Sequence, residues 1–327
     1  MKPFYYTDTV TVDNTTHPER DMTIRLGYAC INMELQEKKE KVHCSRGMIR
    51  KTFDKQGVKG ASKLALDNVL DLIKVLKWNN EKGIKVFRIT SCLFPWASEY
   101  QLEQLPDFDR ISKALAQAGK IALDAGQRLS FHPGPFNILT SPKQKVVDNS
   151  YIDLEHHGRI FDLMGMPRNH WSKINIHVGA SYGDPMTGME RWCKNFEGLS
   201  ESVRSRLTIE NDDKKSLYSA KMLYEGIFKR VSVPIVWDSH HDELGPQDSS
   251  PQEAFEMAVA SWPKGIRPVC HHSNSKKLFE DSTVAENAHS DFYFKPFPSF
   301  AQGVDVVLEA KAKERALFKY NKDFNHI

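Results

Sequence analysis

INIHVGASYGDPMTGMERWCKNFEGLSESVRSRLTIEN, residues 174–211, holds the pattern that decides the fold. It opens on a β-branched run, INIHVG, that carries His177. It passes through a helical segment at about 187–203 and closes on a second run, LTIEN, that carries Glu210. Strand-like runs that alternate with helices form parallel sheets with helical crossovers. The same unit recurs on both sides. Upstream lie Ile24–Ile31, VFRIT at 86–90 and RLSFH at 128–132; downstream lie VPIVWD at 233–238, RPVCHH at 267–272 and VDVVLEA at 304–310. The first helix runs through Leu66, Val69, Leu70, Ile73 and Leu76, with Gly83 near its end. Others are expected at about 108–125 (stopping at Gly126), 142–164 (ending near Gly165), 216–230 and 251–261, with one more after the last strand. Eight such units in one chain fit an α/β fold, a single (β/α)8 TIM barrel. A doubly wound open sheet is the alternative. Against it, no glycine-rich phosphate fingerprint follows the first strand. The polar residues are also spread over many strands, where an open sheet would gather them at one switch point. Residues 1–23 read as an irregular N-terminal extension and 24–327 as the barrel domain. Residues 34–60 read as a long strand-to-helix loop, and 273–303 as a helix-poor connection.

At 327 residues the chain can bury a large core. Its 40% hydrophobic and 27% charged content is that of a globular protein. A net charge of +3 does not by itself point to nucleic acid, and it leaves room for a local basic groove. The five cysteines, Cys30, Cys44, Cys92, Cys193 and Cys270, form no CxxC pair, which argues against a disulfide framework or a cysteine zinc site. No apolar run reaches transmembrane length and no signal-peptide core opens the chain, so an intracellular setting without a membrane partner is expected.

The strands end in metal-ligating residue types. SFHPG, INIHVG, TIENDD, IVWDSHHDE, VCHHS and VVLEAK carry His132, His177, Glu210, Asp238, His241, His271 and Glu309. In a closed barrel the carboxyl ends of all strands face one rim, so these side chains converge. A single histidine or carboxylate at a strand end is usually a loop polar group or a helix cap. Seven at successive strand ends point to a multi-metal hydrolytic site. Mixed imidazole and carboxylate sets suit zinc or manganese, with iron as a further choice. Adjacent ions generate hydroxide near neutral pH and clamp a phosphoryl transition state. Seven ligands suffice for two ions, and His289 and Glu99 would extend the set to three. His240 and His272 adjoin candidate ligands, and strand alternation places neighbours on opposite faces. His241 and His271 are therefore chosen over them. His156 and His157 fall inside a helical pattern and read as structural or exposed. Asp212 and Asp213 read as caps of the helix beginning near Ser216.

The stretches LGYACIN (26–32), FRITSCLFPWAS (87–98), LSFHPGPF (129–136), DLEHHGRIFDLMG (153–165), INIHVGASYGD (174–184), LTIENDD (207–213), PIVWDSHH (234–241), AHSD (288–291) and VDVVLEAKAKE (304–314) together resemble the UV damage endonuclease family. They run in that family's order from residue 24 to about 318. The resemblance implies a TIM barrel related to endonuclease IV with two or three divalent ions. Manganese is the first choice, with zinc, magnesium, iron and cobalt as alternatives. It implies a double-stranded DNA partner containing cyclobutane dimers or 6-4 photoproducts. The backbone would be nicked immediately 5′ to the lesion, leaving a 3′-hydroxyl and a 5′-phosphate. The family's ligands fall on His132, His177, Glu210, Asp238, His241, His271, His289 and Glu309. Lys311 would contact phosphate or transition state, and Tyr28 and Asn32 would lie near the damaged strand. Compartment would follow source: cytoplasmic (nucleoid) if prokaryotic or viral, nuclear if eukaryotic. A monomer suffices for the chemistry.

Three positions depart from the family pattern. Ser98-Glu99 stands where many members have Ser-His, Pro135-Phe136 where some have Gln-Tyr, and Val269 where some have lysine. Phe136 can still wedge beside unstacked bases. Pro135 has no side-chain amide to donate. Trp96, Tyr100, Phe136 and Tyr182 would give the rim its aromatic contacts, because photoproducts stack poorly and are cheaper to extrude. Lys276 and Lys277 would hold backbone phosphates, or else are solvated loop charges. Two other functions fit the residues: a metal-dependent sugar isomerase-like barrel enzyme, with an enclosed pocket, or a catalytically silent damaged-DNA binder.

Overall fold

The computed structural model describes residues 22–324. The extension expected at 1–23 lies almost wholly outside the described residues. Eight parallel strands close into a barrel in chain order. They are β1 (Arg25–Cys30), β2 (Val86–Ile89), β3 (Arg128–Phe131), β4 (Ile174–His177), β5 (Leu207–Glu210), β6 (Ile235–Asp238), β7 (Val269–His272) and β8 (Asp305–Leu308). Pairing of β1 with β8 closes the ring, with Arg25 opposite Asp305 and Tyr28 opposite Leu308. The (β/α)8 barrel expected from the alternating runs is the architecture found.

Most helices fall where their periodicity places them, including Phe108–Asp124, Gln144–Leu163 and Pro251–Ala260. Gly126 and Gly165 follow two of them at φ 63° and 68°, in the left-handed region that ends a helix. Each strand packs its outward side chains against this helical ring, and the core includes Phe87, Leu129, Phe131, Ile176, Ile209 and Trp237. Close approach demands glycine at position 27, where a Cβ would sit 2.0 Å from the Val86 carbonyl oxygen of the neighbouring strand.

Three local expectations are corrected. The segment 34–60 is not all loop, because the first long helix starts at Arg50 and runs to Glu81. Its opening turns break at Gly57 (φ 57°), which hid the pattern from periodicity. The helix expected at 187–203 is two, Pro185–Phe196 and Glu201–Arg204, the second capped by Ser200. Asp212 and Asp213 do not cap the helix after β5. That helix begins at Ala220 behind the Ser219 cap, which leaves both aspartates on the rim. The connection 273–303 is helix-poor as expected, with one short helix at Lys276–Phe279. Among the described residues no helix is long and apolar enough to cross a membrane.

Candidate metal centre

The carboxyl ends of β3 to β8 bring the predicted donors together. Three groups have one ligand atom per residue, all within 4.8 Å of one another. They are His132, Glu210 and His271; His177, Glu210 and His241; and Asp238, His271 and Glu309. Glu210, the last residue of β5, is common to two of them and fully buried. Its Oε2 lies 3.0 Å from His132 Nε2 and 3.1 Å from His271 Nδ1, and its Oε1 lies 3.3 Å from His241 Nδ1. Asn175, two residues before His177 on β4, donates its side-chain amide to Glu210 Oε2. Thr208 in turn donates to Asn175 Oδ1 at 2.8 Å.

Asp238 ends β6 and caps the short helix Ser239–Leu244. Its Oδ1 accepts the backbone N–H groups of His240 and His241 at 2.8 and 2.9 Å. Its Oδ2 is buried without a hydrogen-bond partner among the described residues. Asn211 ties β5 to β6 through the Asp238 backbone, accepting its N–H at 2.8 Å and donating to its carbonyl at 3.0 Å. The cap turns the chain at once from strand to helix. Helical geometry therefore separates His241 from His240, and strand alternation does not. His240 is buried beside the His289 ring at 5.8 Å. His272 pairs with Ser239 and stacks on Tyr293, away from the donor groups.

Around this nucleus the field is strongly polarised. Burial raises the Glu210 carboxyl, but His271, His177, His132 and His241 outweigh it and hold the group well below the carboxylate range. The same contest on Glu309 is won by Arg88 and His271. His132 is pulled down to about 4 by burial, against the opposing pull of Glu210. Burial also lowers His241, yet Asp238 and Glu210 prevail and raise it. His177 is raised, burial notwithstanding, by Glu210 and by Asp212, whose Oδ1 lies 3.1 Å from its Nδ1. A carboxylate behind a ligating imidazole fixes ring orientation and tautomer.

The donor set fits divalent ions on the grounds of its own chemistry. Among the described residues, Glu210 Oε1, Asp238 Oδ2 and His271 Nδ1 are buried and lack hydrogen-bond partners. Such atoms are costly unless something else satisfies them. Mixed imidazole and carboxylate donors at this spacing suit zinc, manganese or iron. His271 offers only Nδ1 to its two groups, because Lys173 Nζ lies 3.1 Å from its Nε2.

Several sequence-derived candidates sit elsewhere. Glu99 belongs to none of the three groups and instead pairs with Arg50 at 2.8 Å. The loop after β2 turns it outward, toward the start of the helix Arg50–Glu81. Trp96 is anchored in the same corner by its indole N–H on the Met48 carbonyl (2.9 Å) and lies against Phe53 and Arg50. Tyr28 and Asn32, expected near the damaged strand, are both buried and their polar atoms are used internally. Tyr28 donates to Asn79 Oδ1 at 2.7 Å and accepts from Asn32, which also caps the helix Met33–Gln36. His289 stands at the edge of the centre, its Nδ1 3.7 Å from Glu309 Oε2 and 3.0 Å from the Glu309 carbonyl. Phe136 is 84% exposed and Tyr182 49% exposed on the rim. Pro135 lines a cavity of about 530 Å³ with His177, Asp212, Lys214 and His241. Lys276 and Lys277 are paired with Asp291 (3.0 Å) and Glu286 (3.3 Å). Lys311 is exposed.

Sequence reasoning missed Arg88, Lys173, Asn175 and Asp212. Arg88 forms an ion pair with Glu309 from inside β2. A charged residue within a short barrel strand, as in VFRIT, was the available signal.

The UV-endonuclease UvdE family model matches residues 24–327. The UV-damage endonuclease of Schizosaccharomyces pombe is 34% identical over 303 residues, 90% of this chain and 50% of that protein. The chain therefore spans about half the length of that relative. A putative UV-damage endonuclease of Acanthamoeba polyphaga mimivirus is 29% identical over 317 residues, 92% of each chain. The crystal structure of SacUVDE matches with a TM-score of 0.80 at 27% identity, over 93% of this chain and 100% of that one. With a family match across the whole barrel and a centre built from the residues that carried the resemblance, this chain belongs to the UV-endonuclease UvdE family.

Proposed function

We propose that this chain is a metal-dependent endodeoxyribonuclease that nicks duplex DNA immediately 5′ to cyclobutane dimers and 6-4 photoproducts, leaving a 3′-hydroxyl and a 5′-phosphate. The observation that carries this reading is the set of three interlocking donor groups sharing Glu210 and His271 in a chain of the UvdE family. The groups His177/Glu210/His241 and Asp238/His271/Glu309 have no residue in common, so two ions can be held without competition. The group built on His132 competes with one of them for His271 Nδ1. Divalent ions, manganese first, would supply Lewis acidity toward the phosphate and a nucleophilic hydroxide at neutral pH.

The protein's own residues orient and neutralise. Asp212 holds the His177 ring, and the Asp238 cap fixes the direction of His241. Lys173 under His271 leaves Nδ1 as the nitrogen facing the carboxylates. Arg88 offsets charge on Glu309. Phe136 and Tyr182, exposed on the rim, are suited to stack on bases left unpaired beside a lesion, which part from the helix at lower cost than normal ones. A monomer suffices.

The test is a duplex bearing one defined photoproduct, incubated with and without Mn²⁺, with the nick mapped on a sequencing gel. A metal-dependent break next to the lesion on its 5′ side is expected. Binding without cleavage in saturating Mn²⁺ would overturn the proposal in favour of a silent damaged-DNA binder.

A further inference from the structure

The corner of the rim between β1, β2 and β8 carries two non-glycine residues in the left-handed region. Cys30 (φ 74°) ends β1, and Lys313 (φ 52°) follows β8. Side chains adopt that region at a cost, and such residues persist only where their surroundings hold them. Lys313 is held on both sides. Before it, Lys311 N–H donates to the Ser290 carbonyl at 3.0 Å and Ala312 N–H to the Asp291 carbonyl at 3.1 Å. After it, the buried Glu314 carboxylate accepts the Met33 and Glu34 N–H groups at 2.9 and 2.8 Å. Helical dihedrals at residue 313 would carry its side chain elsewhere. With the observed ones its amine sits in the field of Cys30, Arg88 and Glu309.

Among the described residues the Lys313 ammonium has no hydrogen bond or ion pair. The lysines of the neighbouring loop, Lys276 and Lys277, are both engaged by carboxylates. On β2 across the same corner, the Arg88 guanidinium spends one arm on Glu309, and among the described residues its buried Nε–H has no hydrogen-bond partner. A half-buried cation with no partner among the described residues, in the field of a candidate ligand of the centre, is arranged for an anion that arrives from outside.

We propose that Lys313, fixed in this left-handed turn, holds a backbone phosphate of the DNA strand on the Glu309 side of the centre. This rests on the DNA-cleaving reading above and adds a residue to it. In this role Lys313 positions the strand against the donors and takes no part in proton transfer.

Binding of an undamaged duplex in EDTA, followed by fluorescence anisotropy across a salt series, reads the contact without metal or cleavage. Lys313→Gln should weaken binding roughly tenfold at low salt. It should also lower the slope of log K against log salt by about 0.9, one phosphate's share. Lys313→Arg should keep the slope, and Lys322→Gln, exposed near the end of the last helix (Lys313–Asp323), should match wild type. Lys313→Gly relieves the backbone, so its Tm should equal or exceed wild type while its slope falls as in Lys313→Gln. An unchanged slope in Lys313→Gln overturns the proposal, as does loss of slope in Lys311→Gln in its place. A Tm loss in Lys313→Gly with an unchanged slope makes the residue structural and overturns it too. The photoproduct assay on wild type judges the cleavage reading separately. A chain that binds through Lys313 but never nicks would sink that reading and leave this contact standing.

Discussion

The two ends of this barrel both bury charge, and they treat it in opposite ways. At the floor, where strands begin, Asp305 of β8 receives Arg25 through two 2.7 Å bonds, Arg128 at 3.0 Å and Arg267 at 3.3 Å. Arg128 also donates to the carbonyls of Trp171 (2.9 Å) and His170 (2.8 Å), and it lies over the rings of Trp171 and Trp262. At the rim, where strands end, Glu210 Oε1 and Asp238 Oδ2 are buried with no hydrogen-bond partner among the described residues. The floor satisfies its charges within the protein. The rim leaves acceptors over and crowds like groups together, an arrangement that suits ligands from outside. Buried charge at the floor is thus paired within the protein, and at the rim it offers donors outward.

The sharpest break of this comparison pairs one substitution at each end. Glu210→Gln should lower photoproduct nicking by about 100-fold or more, the scale of one lost electrostatic contact in a reacting site, with the circular dichroism spectrum intact. Glu309→Gln should do the same. Retained nicking in either variant removes that residue from the centre. Asp305→Ala should leave specific activity at low temperature intact but cost about 3–5 kcal/mol of stability, because the buried Arg128 loses its counter-charge. An unchanged melting curve would show that the floor charges do not hold the barrel together. Asp212→Asn touches the rim one step back. It should weaken Mn²⁺ binding roughly 10–100-fold in a calorimetric titration, through a misoriented His177. Unchanged affinity would place His177 outside the ligand set.

The smallest effect concerns His170 at the floor. Burial, with Arg128 adding to it, pulls its imidazole down to about 4. The unfolded chain takes up that proton near 6.5. Between those values the unfolded state holds more protons, so this group's contribution is fully favourable above about pH 6.5 and is lost as pH falls toward 4. His170→Phe should flatten that part of the stability–pH curve in urea unfolding. A variant as acid-sensitive as wild type would show that the ring is solvated in the folded state.

Much of the rim was legible because ligand residue types end strand-like runs, and a strand's direction fixes the end at which its last residue sits. That logic reached His132, His177, Glu210 and Asp238 without any partner being known. It could not find Arg88 and Lys173, because a cation inside a barrel is tolerated only through contacts with distant strands. It misplaced Asp212, read as a local cap, because the pairing that matters is with β4. Tyr28 and Asn32 were assigned by likeness at a position, and Glu99 by its residue type. The fold turns Glu99 toward Arg50 and seals the other two beneath the helices.

The sequence by itself determined the alternation of strands and helices, hence a parallel closed barrel, and the set of donors on one rim. Period and chain direction are local properties. Tertiary structure alone decided which donors share an ion's volume and which carboxylates stand behind imidazoles. Those outcomes depend on angstrom-scale distances between strands far apart in the chain, and electrostatic coupling in a buried site falls steeply with such distances.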